Sequence, residues 1–272
     1  MIVSKAQFSE MIPDNRGDLN EWYSLASEYF DKYEINTASR IAGFMAQAAH
    51  ESSDFNRLVE NMNYSQSGLR KIFGRYFPTD AMAAKYARKP EEIANIVYND
   101  ANRINKLGNT QPGDGWRFIG RGIFQLSGRW NYEDFGRDNN MTPEEVAEYS
   151  KTRRGAMHTA CWFWNERDCN RHADKGDIVG MSRAINGGDI GLSDRIAKWN
   201  RNSLIVKRND NPTRTLTIGS KGQDVKNVQT VLKIGADGFF GKNTNAAVVE
   251  WQKAHGYSGQ FSEDQQRKML YE

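Results

Sequence analysis

The stretch IAGFMAQAAHESSDFNRLVENMNYS, Ile41 to Ser65, decides how the chain is read. Ile41, Phe44, Met45, Ala48 and Ala49 recur at three- and four-residue intervals, which predicts an amphipathic helix. That helix delivers His50 and Glu51 at its C-terminal end. A second carboxylate, Glu60, follows, with the polar cluster Asn61, Asn63, Tyr64 and Ser65 behind it. The simplest role for Glu51 is a solvated glutamate at a helix end. Against that role, a helix C-terminus disfavours negative charge, and apolar neighbours disfavour it further. Both effects suit a carboxyl that must carry a proton as a general acid.

The spacing of the two glutamates sets a geometric condition. On one continuous helix, Glu60 would lie half a turn away from Glu51 and roughly 13 Å along the axis. Cleavage of a glycosidic bond by inversion needs an acid and a base about 6.5–9.5 Å apart. The helix therefore has to break between them. Ser52, Ser53 and Asp54 are the residues suited to break it, because their short polar side chains compete for backbone hydrogen bonds.

The chain has 272 residues, enough for a sizeable core and a small second domain. Its composition, 38% hydrophobic and 26% charged, is that of a globular protein. A net charge of +3 favours adhesion to an anionic polymer such as a bacterial wall but is too weak to argue for nucleic acid. No window reaches the roughly 18 apolar residues of a membrane span. The N-terminus MIVSKAQFSEMIPDN lacks the basic-then-apolar pattern of a signal peptide, so retention in a cytoplasm is expected. Cys161 and Cys169 on one helix would be roughly 12 Å apart, too far for a disulfide, so free buried thiols are expected.

Along the chain, helices are expected over residues 4 to 33 as a pair capped by Ser4, then after Asn36 or Thr37. Further helices are expected at 69–73, after Pro78, from Pro90, from Thr142 and over 154–166, 177–185 and 196–204. Residues 106 to 122, KLGNTQPGDGWRFIGRG, break every periodicity and read as a loop, with IFQLS after it as a small sheet edge. Residues 206–214, VKRNDNPTR, read as a linker. Two helical patterns follow, DVKNVQTVLK and TNAAVVEWQKAH, and a weaker third, SEDQQRKMLY.

Other chemistries fit less well. A zinc protease places a second His four residues after the first, and position 54 is Asp54. With four His and no Cys cluster, neither a metal nor another cofactor is expected. The glycine-rich loop lacks the Gly-Lys-Ser/Thr ending of a phosphate loop. Its Trp116, Arg117, Phe118, Arg121, Gln125 and Ser127 suit a sugar, with planar faces to stack and donors for hydroxyls and amides.

Three segments in order, HES at 50–52, GRGIFQLSGRWNY at 120–132 and AINGGDIGLSDR at 184–195, closely resemble the signature segments of glycoside hydrolase family 19 chitinases. HESSDF followed by ENMNYS, with its short spacing, is similar to the bacteriophage endolysin branch of that family. The resemblance covers residues 40 to 200 and implies a mainly α, lysozyme-like fold and an inverting mechanism. It implies Glu51 as the acid that protonates the glycosidic oxygen and Glu60 as the base that activates water. Ser127 would hold that water. The plant-type enzymes build the segment before the second glutamate differently, which bears on Glu60. His50, Tyr64, Gln125, Asn131, Asn186 and Arg195 are the implied substrate-binding positions, some of them holding the carboxylates.

The tail, TLTIGSKGQDVKNVQTVLK with ADGFFGKNTNAAVVEWQKAHG, resembles a three-helix peptidoglycan-binding domain. Its closing GYSGQFSEDQQ departs from the usual second repeat. The expected organisation is a catalytic domain over 1–205, a linker over 206–214 and a wall-binding domain over 215–272. The expected protein is a monomeric endolysin acting on peptidoglycan, released from the host cytoplasm through a membrane pore. Rival readings are a chitinase, a lytic transglycosylase, and a non-catalytic wall-binding or structural phage component.

Overall fold

The computed structural model describes residues 2–272. Its elements in chain order are α1 (Lys5–Met11), α2 (Leu19–Lys32), α3 (Ala38–Ser52), α4 (Gln66–Ile72), α5 (Asp80–Tyr86), α6 (Pro90–Val97), α7 (Asp114–Arg117), α8 (Arg129–Asn139), α9 (Pro143–Tyr149), α10 (Arg153–Glu166), α11 (Cys169–Asp174), α12 (Ile178–Asn186), α13 (Leu192–Ile205), α14 (Gln223–Val231), α15 (Lys242–Ala254) and α16 (Glu263–Tyr271). The fold is mainly α, and among the described residues the β structure is confined to isolated bridges such as Val59 with Arg121 and Arg121 with Leu126. The expected sheet edge at IFQLS is that pair of bridges and no more.

Local chemistry accounts for most helix ends. Ser4 and Thr142 form capping boxes with Gln7 and Glu145, each satisfying two orphan backbone N–H groups. Thr37 caps α3, and Pro90 and Pro143 occupy the first turns of α6 and α9. Three helices were not foreseen. The four-residue α7 sits inside the glycine-rich loop, α8 begins at RWNY, and Cys169 opens α11 instead of continuing α10. Cys161 and Cys169 are each a buried free thiol.

The chain packs into two units. One runs to Asp54 and resumes over Arg167–Glu272; the other is Phe55–Glu166. In the first, α3 lies along α13, with α11 and α12 beside them. The apolar face of α3 is buried at Ile41, Phe44, Met45, Ala48 and Ala49, and Phe44 meets Phe30 edge-on at 5.0 Å. Residues 206–214 have no regular structure, yet they are not loose. Ser4 Oγ donates to the buried Asp210 at 2.9 Å, Gln7 Nε2 donates to the carbonyls of Ile205 and Arg208, and Arg208 pairs with Glu10. Beyond them, α14–α16 close a core of Leu216, Val225, Val228, Phe240, Val248, Phe261 and Met269, and α14 and α16 rest on α1.

In the second unit, α4–α7 enclose Met62, Leu69, Phe77, Ile93, Val97 and Ile119. α7 comes so close to α6 that a Cβ on Gly115 would stand 2.5 Å from the Ala94 carbonyl oxygen. The buried Asp114 accepts from Arg129 Nη2 at 2.6 Å and Nε at 3.0 Å, tying α7 to the start of α8.

Candidate active site

α3 stops at Ser52. Ser53, Asp54 and Phe55 then adopt φ values of 50°, 56° and 66°, three successive left-handed residues without a glycine among them. Each costs about 1–2 kcal/mol in that conformation. Hydrogen bonds offset part of the cost: Asp54 N–H donates to Ala49 O at 2.9 Å, Asp54 Oδ2 accepts from Asp14 N–H, and Asp54 O accepts from Asn15 Nδ2 at 2.7 Å. The break demanded by the spacing of Glu51 and Glu60 is therefore present at the residues expected to make it.

In the first unit, Glu51 lies in the last turn of α3, partly exposed. Its Oε1 accepts from Nη2 of Arg195, which is buried on α13. Its surroundings are thus less apolar than the helix pattern alone implies. Arg195, at 2% exposure, supports the carboxylate and has no free face to offer a ligand. His50 Nδ1 is 2.6 Å from Asp194 Oδ2, and Asp194 also accepts from Lys198 Nζ at 3.0 Å. Burial raises the Asp194 pKa, but bonds from His50 and Lys198 outweigh it and hold the carboxyl below its usual range. Asn186 shapes the turn after α12: its Nδ2 donates to Ile190 O at 2.9 Å and its Oδ1 accepts from Gly188 N–H at 2.7 Å.

In the second unit, Glu60 is bonded through both its backbone and its side chain. Its N–H donates to Gly120 O at 2.9 Å, its Oε2 accepts from Gly120 N–H at 3.2 Å, and its Oε1 accepts from Tyr98 Oη at 2.6 Å. Burial and the charge of Glu60 push the Tyr98 phenol well above its ordinary pKa, so it stays a donor. Tyr64 is raised for the same two reasons, and its ring meets Phe73 edge-on at 5.1 Å. A Cβ on Gly120 would stand 2.9 Å from Gln125 Oε1 and 3.4 Å from Glu60 Oε2, so glycine here lets both side chains approach the backbone. Gln125 Nε2 donates to Gly122 O at 2.9 Å. Ser127 enters the bonding through its carbonyl, which accepts from Asn131 Nδ2 at 2.7 Å.

Sequence reasoning missed two residues. Tyr98 lies in the YND segment after α6, where nothing in the local pattern marks it as a partner of Glu60. Trp130 is 53% exposed at the start of α8 and packs on Gly108, an open aromatic face of the kind that stacks on sugars. The RW dipeptide directly after QLSG was the available signal.

No protein-family model matches the sequence. A Haemophilus influenzae protein described as glycosyl hydrolase family 19 domain-containing is 36% identical over 214 residues, spanning 77% of this chain and 99% of the relative. Among solved structures, chitinase C from Streptomyces griseus matches with a TM-score of 0.53 at 19% identity, covering 76% of this chain and 93% of its own. A bacterial family 19 chitinase matches with a TM-score of 0.53 at 20% identity, covering 77% and 97%. The class IV chitinase from Zea mays matches with a TM-score of 0.51 at 18% identity, covering 76% and 94%. At these identities the solved structures share the fold, while the Haemophilus relative carries the family. The chain belongs to glycosyl hydrolase family 19 and is a glycoside hydrolase.

Proposed function

We propose that the chain is a bacteriophage endolysin that hydrolyses β-1,4 glycosidic bonds of peptidoglycan by inversion, with Glu51 as general acid and Glu60 as general base. The observation that carries this assignment is the different way the two carboxylates are held. Both oxygens of Glu60 receive donors, Tyr98 Oη and Gly120 N–H, which suits an acceptor-only carboxylate acting as a base. Glu51 is tied to Arg195 through Oε1. A proton on Glu51 is then carried by Oε2, the oxygen that would protonate the leaving group. Glu60 takes a proton from water, with Ser127 helping to orient that water. Inversion follows because water attacks the face opposite the departing oxygen.

The wall as substrate is supported by the tail. Its two motifs resemble a peptidoglycan-binding domain, and α14–α16 have a core of their own. The turn between α14 and α15 is fixed by the buried Gln229, whose Nε2 bonds Asp237 Oδ1, Phe239 O and Thr244 Oγ1 and whose Oε1 accepts from Gly238 N–H. Beside that turn lies an open cavity of about 600 Å³ lined by Asp237, Phe239, Lys242 and Asn243. A recess with an aromatic edge and several polar groups suits a wall glycan with its peptide.

Digestion of purified murein tests the reading. Glu51→Gln is expected to lower turnover about 10³-fold with the fold unchanged, and reducing-end analysis should find free sugar ends. Products with 1,6-anhydro ends would point to a transglycosylase. Preference for chitin oligomers over murein would make it a chitinase, the activity named for its structural neighbours.

A further inference from the structure

We infer that Gln47, one turn before Glu51 on α3, is a positioning residue that aims Arg195 at the catalytic acid, and that Ser182 on α12 fixes the direction in which it does so. The inference rests on Glu51 being the acid.

Gln47 and Ser182 are each fully buried, and Arg195 nearly so. Ser182 Oγ donates its one proton to Ile178 O at 2.8 Å, so toward Gln47 it can act only as an acceptor. Gln47 Nε2 donates to it at 3.0 Å. The amide oxygen of Gln47 must therefore face the other way, and there it accepts from Arg195 Nη1. The second arm of the guanidinium, Nη2, is thereby turned onto Glu51 Oε1. Each bond in this relay fixes the polarity of the next, from a backbone carbonyl on α12 to the carboxyl at the end of α3.

A neutral amide is the right group for this task. It occupies one arm of Arg195 without adding negative charge, so the guanidinium's charge is not divided between two carboxylates. Arg195 Nε, buried and without a partner, shows that the rest of the guanidinium makes no competing bond. A buried polar network could also exist simply to join α3, α12 and α13. That role affects stability, whereas aiming Glu51 affects the chemical step.

The test measures kcat and KM on murein, with thermal unfolding, for Gln47→Leu, Gln47→Glu, Ser182→Ala and Glu51→Gln in the full chain. A misaimed reacting group costs up to about 100-fold in rate. Gln47→Leu should therefore lower kcat by about 10- to 100-fold and leave KM within about twofold. Gln47→Glu keeps an acceptor for Nη1 but adds a second carboxylate beside the guanidinium and loses the donor to Ser182, so it should recover only part of what Gln47→Leu loses. Ser182→Ala should lower kcat by about 3- to 10-fold with KM unchanged, and it decides the matter if Gln47→Leu does not fold. A folded Gln47→Leu or Ser182→Ala with parental kcat overturns the inference, as does a Gln47→Glu enzyme as slow as Gln47→Leu. If Glu51→Gln stays active, the assignment of the acid fails and the inference fails with it. If Glu51→Gln is dead and the Gln47 and Ser182 variants are normal, the inference alone fails.

Discussion

Tyr98 gives its phenolic proton to Glu60 Oε1 at 2.6 Å, joining the segment after α6 to the proposed base. A hydrogen bond to a charged group contributes about 1.5–3 kcal/mol. Tyr98→Phe keeps the ring and removes the donor, so both the thermal midpoint and kcat on murein should fall, the first by the equivalent of about 1.5–3 kcal/mol. Because burial and the charge of Glu60 hold this phenol well above its ordinary pKa, it should also remain protonated in an alkaline titration that ionises exposed tyrosines. A parental rate in Tyr98→Phe would remove Tyr98 from the site.

Asp114 predicts how the second unit responds to acid. Burial alone would raise its pKa, but the bonds from Arg129 and Gln111 N–H and the charges of Arg129 and Arg117 prevail and lower it. A carboxyl depressed in the folded state binds its proton more tightly when unfolded. Its contribution is complete above the unfolded value of about 3.9 and is lost as pH falls through the folded value. Asp114→Asn should therefore lower the melting temperature at pH 6 and flatten its dependence between about pH 4 and 2. Thermal melts across that range check both points, and an unchanged acid limb would show that other carboxyls govern it.

Gly191 is held at a φ of 73°, and a Cβ there would stand 2.4 Å from the His50 ring. Gly191→Ala should cost about 1–2 kcal/mol from the backbone alone and displace His50 from Asp194. Gly188→Ala has nothing within 4 Å of its new methyl and serves as the matched control, expected within about 0.5 kcal/mol of the parent. Chemical denaturation of the pair, read with activity, separates the two.

Gln229 holds the turn beside the cavity of the C-terminal helices. Gln229→Ala removes four bonds that hold the turn, one of them to the buried Thr244, and should destabilise those helices by about 1–3 kcal/mol. In a Glu51→Gln background it should also reduce co-sedimentation with wall sacculi. Unchanged sedimentation would show that the turn's shape does not matter for wall binding.

The helix carrying Glu51 and its stop before Glu60 were legible because periodicity and short polar residues are local signals. The partners of both acids were not. Arg195 is identifiable as a cleft or support residue through its motif, but only burial shows that it is a support. Tyr98 and Ser182 reach their partners across long stretches of chain, and no local pattern encodes a pairing at that separation. Gln47 sits in the middle of an apolar helix face, where a single amide looks like an interruption of the core. α8 escaped notice because RWNYEDFGRDN is too polar to show a clear stripe; Tyr132, Phe135 and Gly136 alone are buried.

The clasp between α1 and residues 205–210 has a practical consequence for anyone shortening this enzyme. A fragment ending at Ile205 would discard Asp210 and Arg208, leaving Ser4 without its acceptor and Glu10 without its cation. Arg214, by contrast, belongs to the far side, pairing with Asp224 and accepting from Gln266. A cut within residues 211–213 keeps the bonds of Ser4 and Glu10 on one side and those of Arg214 on the other, but it bares the face of α1 on which α14 and α16 rest.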